Sequence, residues 1–167
     1  MDQAAFAERA STPDDVPFIA DSFCRSYAVA GHTAGIRDRF RELIGRPFVA
    51  LLSAVGDAPD SLLSARVVYP VAEPSEIAGY AVWSPRHSAL LYVLTKPAYS
   101  QRRVAAHLLS RMPTVQSGDP KDARPHLLHT FSTAAFSKMT KRMELRTRYS
   151  PFLFLRMLDE LTDPGGT

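Results

Sequence analysis

Arg102 and Arg103 stand side by side where a helix is due to begin, and that placement calls for a chemical partner. A helix N-terminus presents unpaired amides and a partial positive charge, so cations there are unfavourable unless an anion joins them. A diphosphate is one such anion. The pair sits near the start of a basic block: residues 96–148 hold eleven Lys or Arg and three acids, a balance of +8, while the first 95 residues sum to −3 and the last 19 to −2. Such a block points to a phosphorylated cofactor, an acidic protein or a nucleic acid, with a solvated basic face as the plain alternative. No zinc-finger spacing, basic zipper or RNA-binding aromatic signature singles out nucleic acid.

Groups able to move protons are scattered. His87, His107, His126 and His129 titrate in a useful range, and each also suits an ordinary surface or core position. Glu73 and Glu76 lie in or beside a turn, where solvated roles are usual, and Tyr92 and Tyr99 either line a cleft or pack as aromatics. Glu76, His87 and Tyr92 are the catalytic candidates. The single cysteine, Cys24, lies in an amphipathic run with Phe23 and Tyr27 and reads as a core residue. No nucleophile elbow occurs, and no His or Cys spacing suggests a metal.

These residues need a frame. Thr12-Pro13-Asp14-Asp15 reads as a capped helix start, with Val16, Ile19, Phe23, Tyr27 and Ala30 on one face of a helix running to about Gly31. A second helix is expected over Ile36–Ile44, stopped by Gly45, and Phe48–Val55 suits helix or strand. Arg66–Val71 and Ile77–Trp83 flank the turn-forming Ala72-Glu73-Pro74-Ser75 and read as a hairpin. Ala89–Thr95 is a continuous apolar run, as in a strand covered on both faces. A helix follows from about Arg102 to Met112, ended by Pro113, then an exposed loop over 114–125. His126–Phe131 reads as a strand, Thr133–Arg142 as a helix, Leu145–Tyr149 as a short strand, and Ser150–Leu161 as a terminal helix.

The composition agrees with that frame. At 167 residues, 46% hydrophobic and 22% charged, the chain is expected to be one domain, 1–167, with a real core. No apolar run is long enough to span a bilayer and one cysteine forms no internal disulfide, so a soluble, cytoplasmic protein with no membrane partner is expected. Prolines number 13 against 8 glycines, and none of those glycines falls between Tyr80 and Ser117. Phosphate-cradling loops usually rely on glycine for close backbone approach.

Several segments resemble the GNAT family, the acetyl-coenzyme A dependent N-acetyltransferases. Glu8–Ser11 leading into the Pro13-Asp14-Asp15 helix is similar to its opening strand and first helix, and Ala65–Pro85, with Gly79, to its central hairpin. Leu91–Tyr99 followed by Ser100–Leu109 is similar to its core strand, phosphate loop and helix. More narrowly, SFCRSY, LYVLTKPAYSQRRVA and Tyr149–Phe152 resemble a GNAT-like subfamily associated with tailed phages. The resemblance implies an α/β (α+β) fold with a mixed central sheet flanked by helices, and an enzyme that transfers acetyl from acetyl-CoA to an amine. It implies that Val93, Leu94 and Thr95 bind the pantetheine arm, and that Ser100, Gln101, Arg102, Arg103, Val104, Ala105 and Ala106 bind phosphate, with Ser132 also at the cofactor. The family's loop runs Gln or Arg, two residues, Gly, one residue, Gly or Ala. Ser100, Arg103 and Ala105 fall at those positions, so Arg103 replaces a glycine and either contacts phosphate or fills the site. Where the family often has Asn, Ala and a proton-donating Tyr, this chain has Ser132, Ala135 and Met139, and Met139 is expected to pack in the core. The alternative implied is a GNAT-fold binding or structural module without catalysis, phage-associated and located with the virion.

Overall fold

A computed structural model describes residues 5–29, 49, 52, 61–112, 114, 125–150, 153, 154, 156, 157 and 160, the side chains of 27–29 excepted. The helix expected over 36–44, most of the 114–125 loop, and parts of the 48–55 segment and the tail lie outside the described residues. Six strands form one mixed sheet in the order β1 (Phe6–Ala10), β2 (Ser64–Pro70), β3 (Gly79–Ser84), β4 (Ala89–Thr95), β5 (Leu127–His129) and β6 (Thr147–Tyr149). The pairings β1/β2, β2/β3 and β3/β4 are antiparallel, whereas β4/β5 and β5/β6 are parallel. The architecture is therefore the mixed α+β sheet with flanking helices that the sequence led us to expect.

The first helix starts as its residues dictate. A 3-10 turn, Pro13–Asp15, leads into α1 (Val16–Val29), and the Asp15 carboxylate accepts the Thr12 amide at 2.7 Å, closing a capping box. Val16, Ile19, Phe23 and Cys24 are buried against one sheet face, where Phe23 meets Tyr92 edge-on at 5.6 Å. The opposite face takes α2 (Val104–Leu109), which buries Val104, Leu108 and Leu109. A third helix, α3 (Ala134–Arg142), is capped by Thr133, whose hydroxyl accepts the Phe136 amide at 3.1 Å, and buries Phe136 against Phe131 and His129.

Three expectations are corrected. The helix expected from Arg102 begins at Val104, because Arg103 adopts the left-handed conformation (φ 59, ψ 17) and cannot belong to it. The strand expected over His126–Phe131 spans only Leu127–His129: Leu90 with His129 is the last β4/β5 pair, and the Thr130 amide, donating to the Leu90 carbonyl, makes the final bond of that ladder. The apolar run of β4 is not covered throughout: Ala89–Tyr92 are buried, while Val93, Leu94 and Thr95 are only partly so. Among the described residues no helix is long and apolar enough to cross a membrane.

Candidate functional site

The sheet opens between the parallel strands β4 and β5. β4 and β5 pair only at Ala89 with Leu128 and Leu90 with His129, and then part. Thr130 bridges the point of divergence: its amide donates to Leu90 O at 3.1 Å and its hydroxyl to Leu91 O at 3.2 Å. A bulge sits at the same place, because Val82 opposes Tyr92 while Trp83 opposes Leu90, leaving Leu91 as the extra residue. Beyond it β4 runs on to Thr95 with β3 as its only strand partner among the described residues. The result is a fork whose β4 arm carries Val93, Leu94 and Thr95. The Thr95 hydroxyl oxygen is buried and has no hydrogen-bond partner among the described residues.

At the open end of the fork the chain turns into the basic loop. Lys96 N donates to Ala78 O at 2.9 Å, a 3-10 turn covers Pro97–Tyr99, and Ser100, Gln101, Arg102 and Arg103 are exposed. Arg103 takes the positive φ that glycine adopts freely, and its carbonyl accepts the helix's first backbone bond, from His107 N at 2.9 Å. The amides of Val104, Ala105 and Ala106 precede that bond, at the end where helix amides lack intrahelical acceptors. Arg102 lies over the Tyr99 ring at 5.8 Å, and Tyr99 meets Phe6 edge-on at 5.7 Å. The phosphate-loop candidates Ser100–Ala106 thus follow directly on the pantetheine candidates Val93–Thr95.

The catalytic candidates are not brought together. Glu76 lies at the loop end, 3.7 Å from Lys96 Nζ; a hydrogen bond from Tyr99, with Lys96 nearby, holds the pKa of its carboxyl below the usual range, and the same bond raises the pKa of the Tyr99 hydroxyl. His87 lies in the turn before β4, its Nε2 3.2 Å from Glu160. The length of β4, roughly 20 Å at about 3.3 Å per residue, separates the two. Tyr92 alone adjoins the bulge. It is buried among Phe23, Tyr80 and Phe131, and burial raises its hydroxyl pKa against the opposing effect of a Ser26 hydrogen bond.

The remaining candidates fall in ordinary places. His129 is buried, which lowers its pKa, and its Nδ1 donates to Phe131 O at 2.5 Å. His107 is exposed on α2, 2.7 Å from Glu8, and His126 is partly buried. Ser132 is exposed just before the Thr133 cap. Cys24 is buried and Met139 packs against the core, both as expected. No cluster of three or more His, Cys, Asp or Glu suited to a metal occurs among the described residues. Sequence reasoning passed over Thr130, whose only signal was a hydroxyl ending an apolar strand, and Glu8, whose three basic partners lie far along the chain.

The sequence matches no family model and no curated protein. Among solved structures the chain is similar to the PaiA N-acetyltransferase from Thermoplasma acidophilum in complex with coenzyme A, at 15% identity over 64% of this chain and 68% of that one, with a TM-score of 0.45.

Proposed function

We propose that the chain, read as one domain, is a GNAT-like N-acetyltransferase that takes acetyl-CoA in the β4/β5 fork and passes the acetyl group to an amine. The observation that carries this reading is the fork itself: parallel strands that part at a bulge, with a left-handed residue opening the helix beyond. That residue, Arg103, occupies the position where the resembling family has glycine, and it keeps the backbone shape glycine would supply. The partly covered β4 arm and the orphaned Thr95 hydroxyl fit a ligand chain lying along Val93–Thr95.

Bound acetyl-CoA supplies an activated thioester, so the protein's task is to hold and orient it while the C–S bond gives way to an N–C bond and the thiol and amine settle their protons. Backbone groups of Val93–Thr95 would bind the pantetheine amides. The loop from Ser100 to Ala106, with the guanidinium groups of Arg102 and Arg103, would bind the phosphates. Tyr92 stays protonated at neutral pH, so beside the bulge it can donate a proton but not accept one. Glu76, ionised and engaged with Tyr99 and Lys96, acts in holding the loop end.

One observation favours a second reading, a GNAT-fold module without catalysis, in line with the phage-associated subfamily. Met139 stands where the family often has its proton-donating tyrosine, and it packs against the core. Amide resonances followed during titration with acetyl-CoA test the binding claim. Shifts confined to Val93–Thr95 and Ser100–Ala106 are expected; shifts elsewhere alone overturn it. Release of free thiol with an amine present separates the enzyme from the silent module.

A further inference from the structure

We infer that the outer face of α3, together with Tyr149 of β6, binds a single-stranded nucleic acid, independently of the acetyl-CoA reading. The structure divides the basic block of residues 96–148. Lys96 faces Glu76 at 3.7 Å, Arg102 and Arg103 belong to the loop at the fork, and Arg111 shares Glu8 with Arg66 and His107. Lys121 and Arg124 lie outside the described residues, and Arg146 is half-buried with a partner of its own. Most of what remains gathers on one helix. Lys138, Lys141 and Arg142 of α3 are exposed, and none of the three has an ion-pair partner among the described residues.

Helical geometry makes these cations one surface. Phe136 and Thr140 are buried and Met139 and Met143 half-buried, so that side of α3 faces the core. At about 3.6 residues per turn, Lys138, Lys141 and Arg142 point the opposite way, as neighbours three and four positions apart. The helix holds no acid, and its other exposed residues, Ala134, Ala135 and Ser137, are too short to screen the cations. The helix dipole favours Lys141 and Arg142 in the last turn, yet like charges at this spacing repel, and a bound polyanion removes that cost. Glu144, two residues beyond, is exposed, and one acid against three cations leaves the face positive.

The second observation is aromatic. Tyr149 is 45% exposed. It pairs with His129 across β5 and β6, the two rings lie 5.5 Å apart, and His129 in turn meets Phe136 of α3 at 4.8 Å. Tyr149 therefore stands on the sheet face that α3 covers, whereas strand alternation sends Arg148 to the other face. Cations spaced along a helix take up successive phosphates, and an exposed ring stacks a base. An acidic peptide would use the cations and leave the ring unused.

Fluorescence anisotropy tests this with a labelled oligothymidylate of about 12 nucleotides, within the span of small single-strand sites. Saturable binding is expected, with log affinity falling against log salt at a slope of about −2, or about −0.7 for each of three phosphates. The combined variant Lys138→Gln, Lys141→Gln, Arg142→Gln should bind at least about tenfold more weakly and lose most of that slope. Arg148→Gln removes a charge from the other face and should change little. Tyr149→Leu keeps an apolar cover over His129; it should weaken binding at least about fivefold with the slope unchanged, and Tyr149→Phe should restore it. Circular dichroism should show every variant folded. No saturable binding, equal binding by the combined variant, an equal loss in Arg148→Gln, or full affinity in Tyr149→Leu would each overturn the inference. So would displacement by saturating CoA, which would assign these cations to the fork, or poly-glutamate binding as tightly as the oligonucleotide.

Discussion

Gly79 of β3 lies directly against Val104 of α2: a Cβ built on Gly79 would come within 2.7 Å of the Val104 Cγ1 and 2.6 Å of the Leu94 carbonyl oxygen. The second contact is with backbone and cannot move aside. This close approach lets the helix after the basic loop rest on the sheet just beside the β4 arm. Gly79→Ala should therefore destabilise the protein by about 1 to 3 kcal/mol through overpacking. At about 2 to 4 °C per kcal/mol for a chain of this size, thermal unfolding should show a loss of several degrees. An unchanged midpoint would mean that α2 sits further from the sheet.

Asp15 ties the first helix to β1. Its carboxylate accepts Arg9 Nη1 at 2.5 Å and Nη2 at 2.9 Å, as well as the Thr12 amide. Burial alone would raise its pKa, but the Arg9 and Thr12 hydrogen bonds outweigh burial and hold it below the ordinary value. A carboxyl whose folded pKa is depressed stabilises the protein above its unfolded pKa, about 3.9, and loses that contribution as pH falls toward the folded value. Asp15→Asn should cost about 1.5 to 3 kcal/mol near neutral pH. Denaturant titrations at a series of pH values should show the gap to wild type closing below about pH 4; a gap that stays constant counts against this assignment.

Thr130 ties the fork at its base. Thr130→Val keeps the shape and the amide bond to Leu90 but removes the hydroxyl donated to Leu91 O. A stability loss of about 0.5 to 1.5 kcal/mol is expected. Because the bond spans the point where β4 and β5 part, hydrogen exchange of β5 amides should quicken more than that of β2 amides. Uniform quickening would show a global effect instead.

The legible parts of this fold were those fixed by local pattern. Ala89–Thr95 was bounded to the residue, and Thr133–Arg142 differs only in counting its cap. The first is a continuous apolar run stopped by Lys96-Pro97, and the second is a mostly polar helix marked by its Thr133 cap and by Lys141 and Arg142 in its last turn. The basic loop was legible as cations crowding a helix start, and Arg103 as an oddity at a glycine position; its left-handed backbone is a torsional fact that residue type does not announce. The fork was not legible, because it depends on where β5 leaves β4, and their paired residues Leu90 and His129 lie 39 positions apart in sequence. The Glu8 cluster was hidden for the same reason: its partners are 58, 99 and 103 positions away, beyond the reach of any periodicity.

Calorimetric titration asks directly whether the fork and loop bind acetyl-CoA. Micromolar affinity is predicted for the wild-type protein, with Arg103→Glu at least about tenfold weaker, a loss of about 1.4 kcal/mol. Arg103→Gly, which keeps the positive φ without the side chain's strain, should retain measurable binding. No heat at millimolar acetyl-CoA, or equal affinity in wild type and Arg103→Glu, would contradict the account.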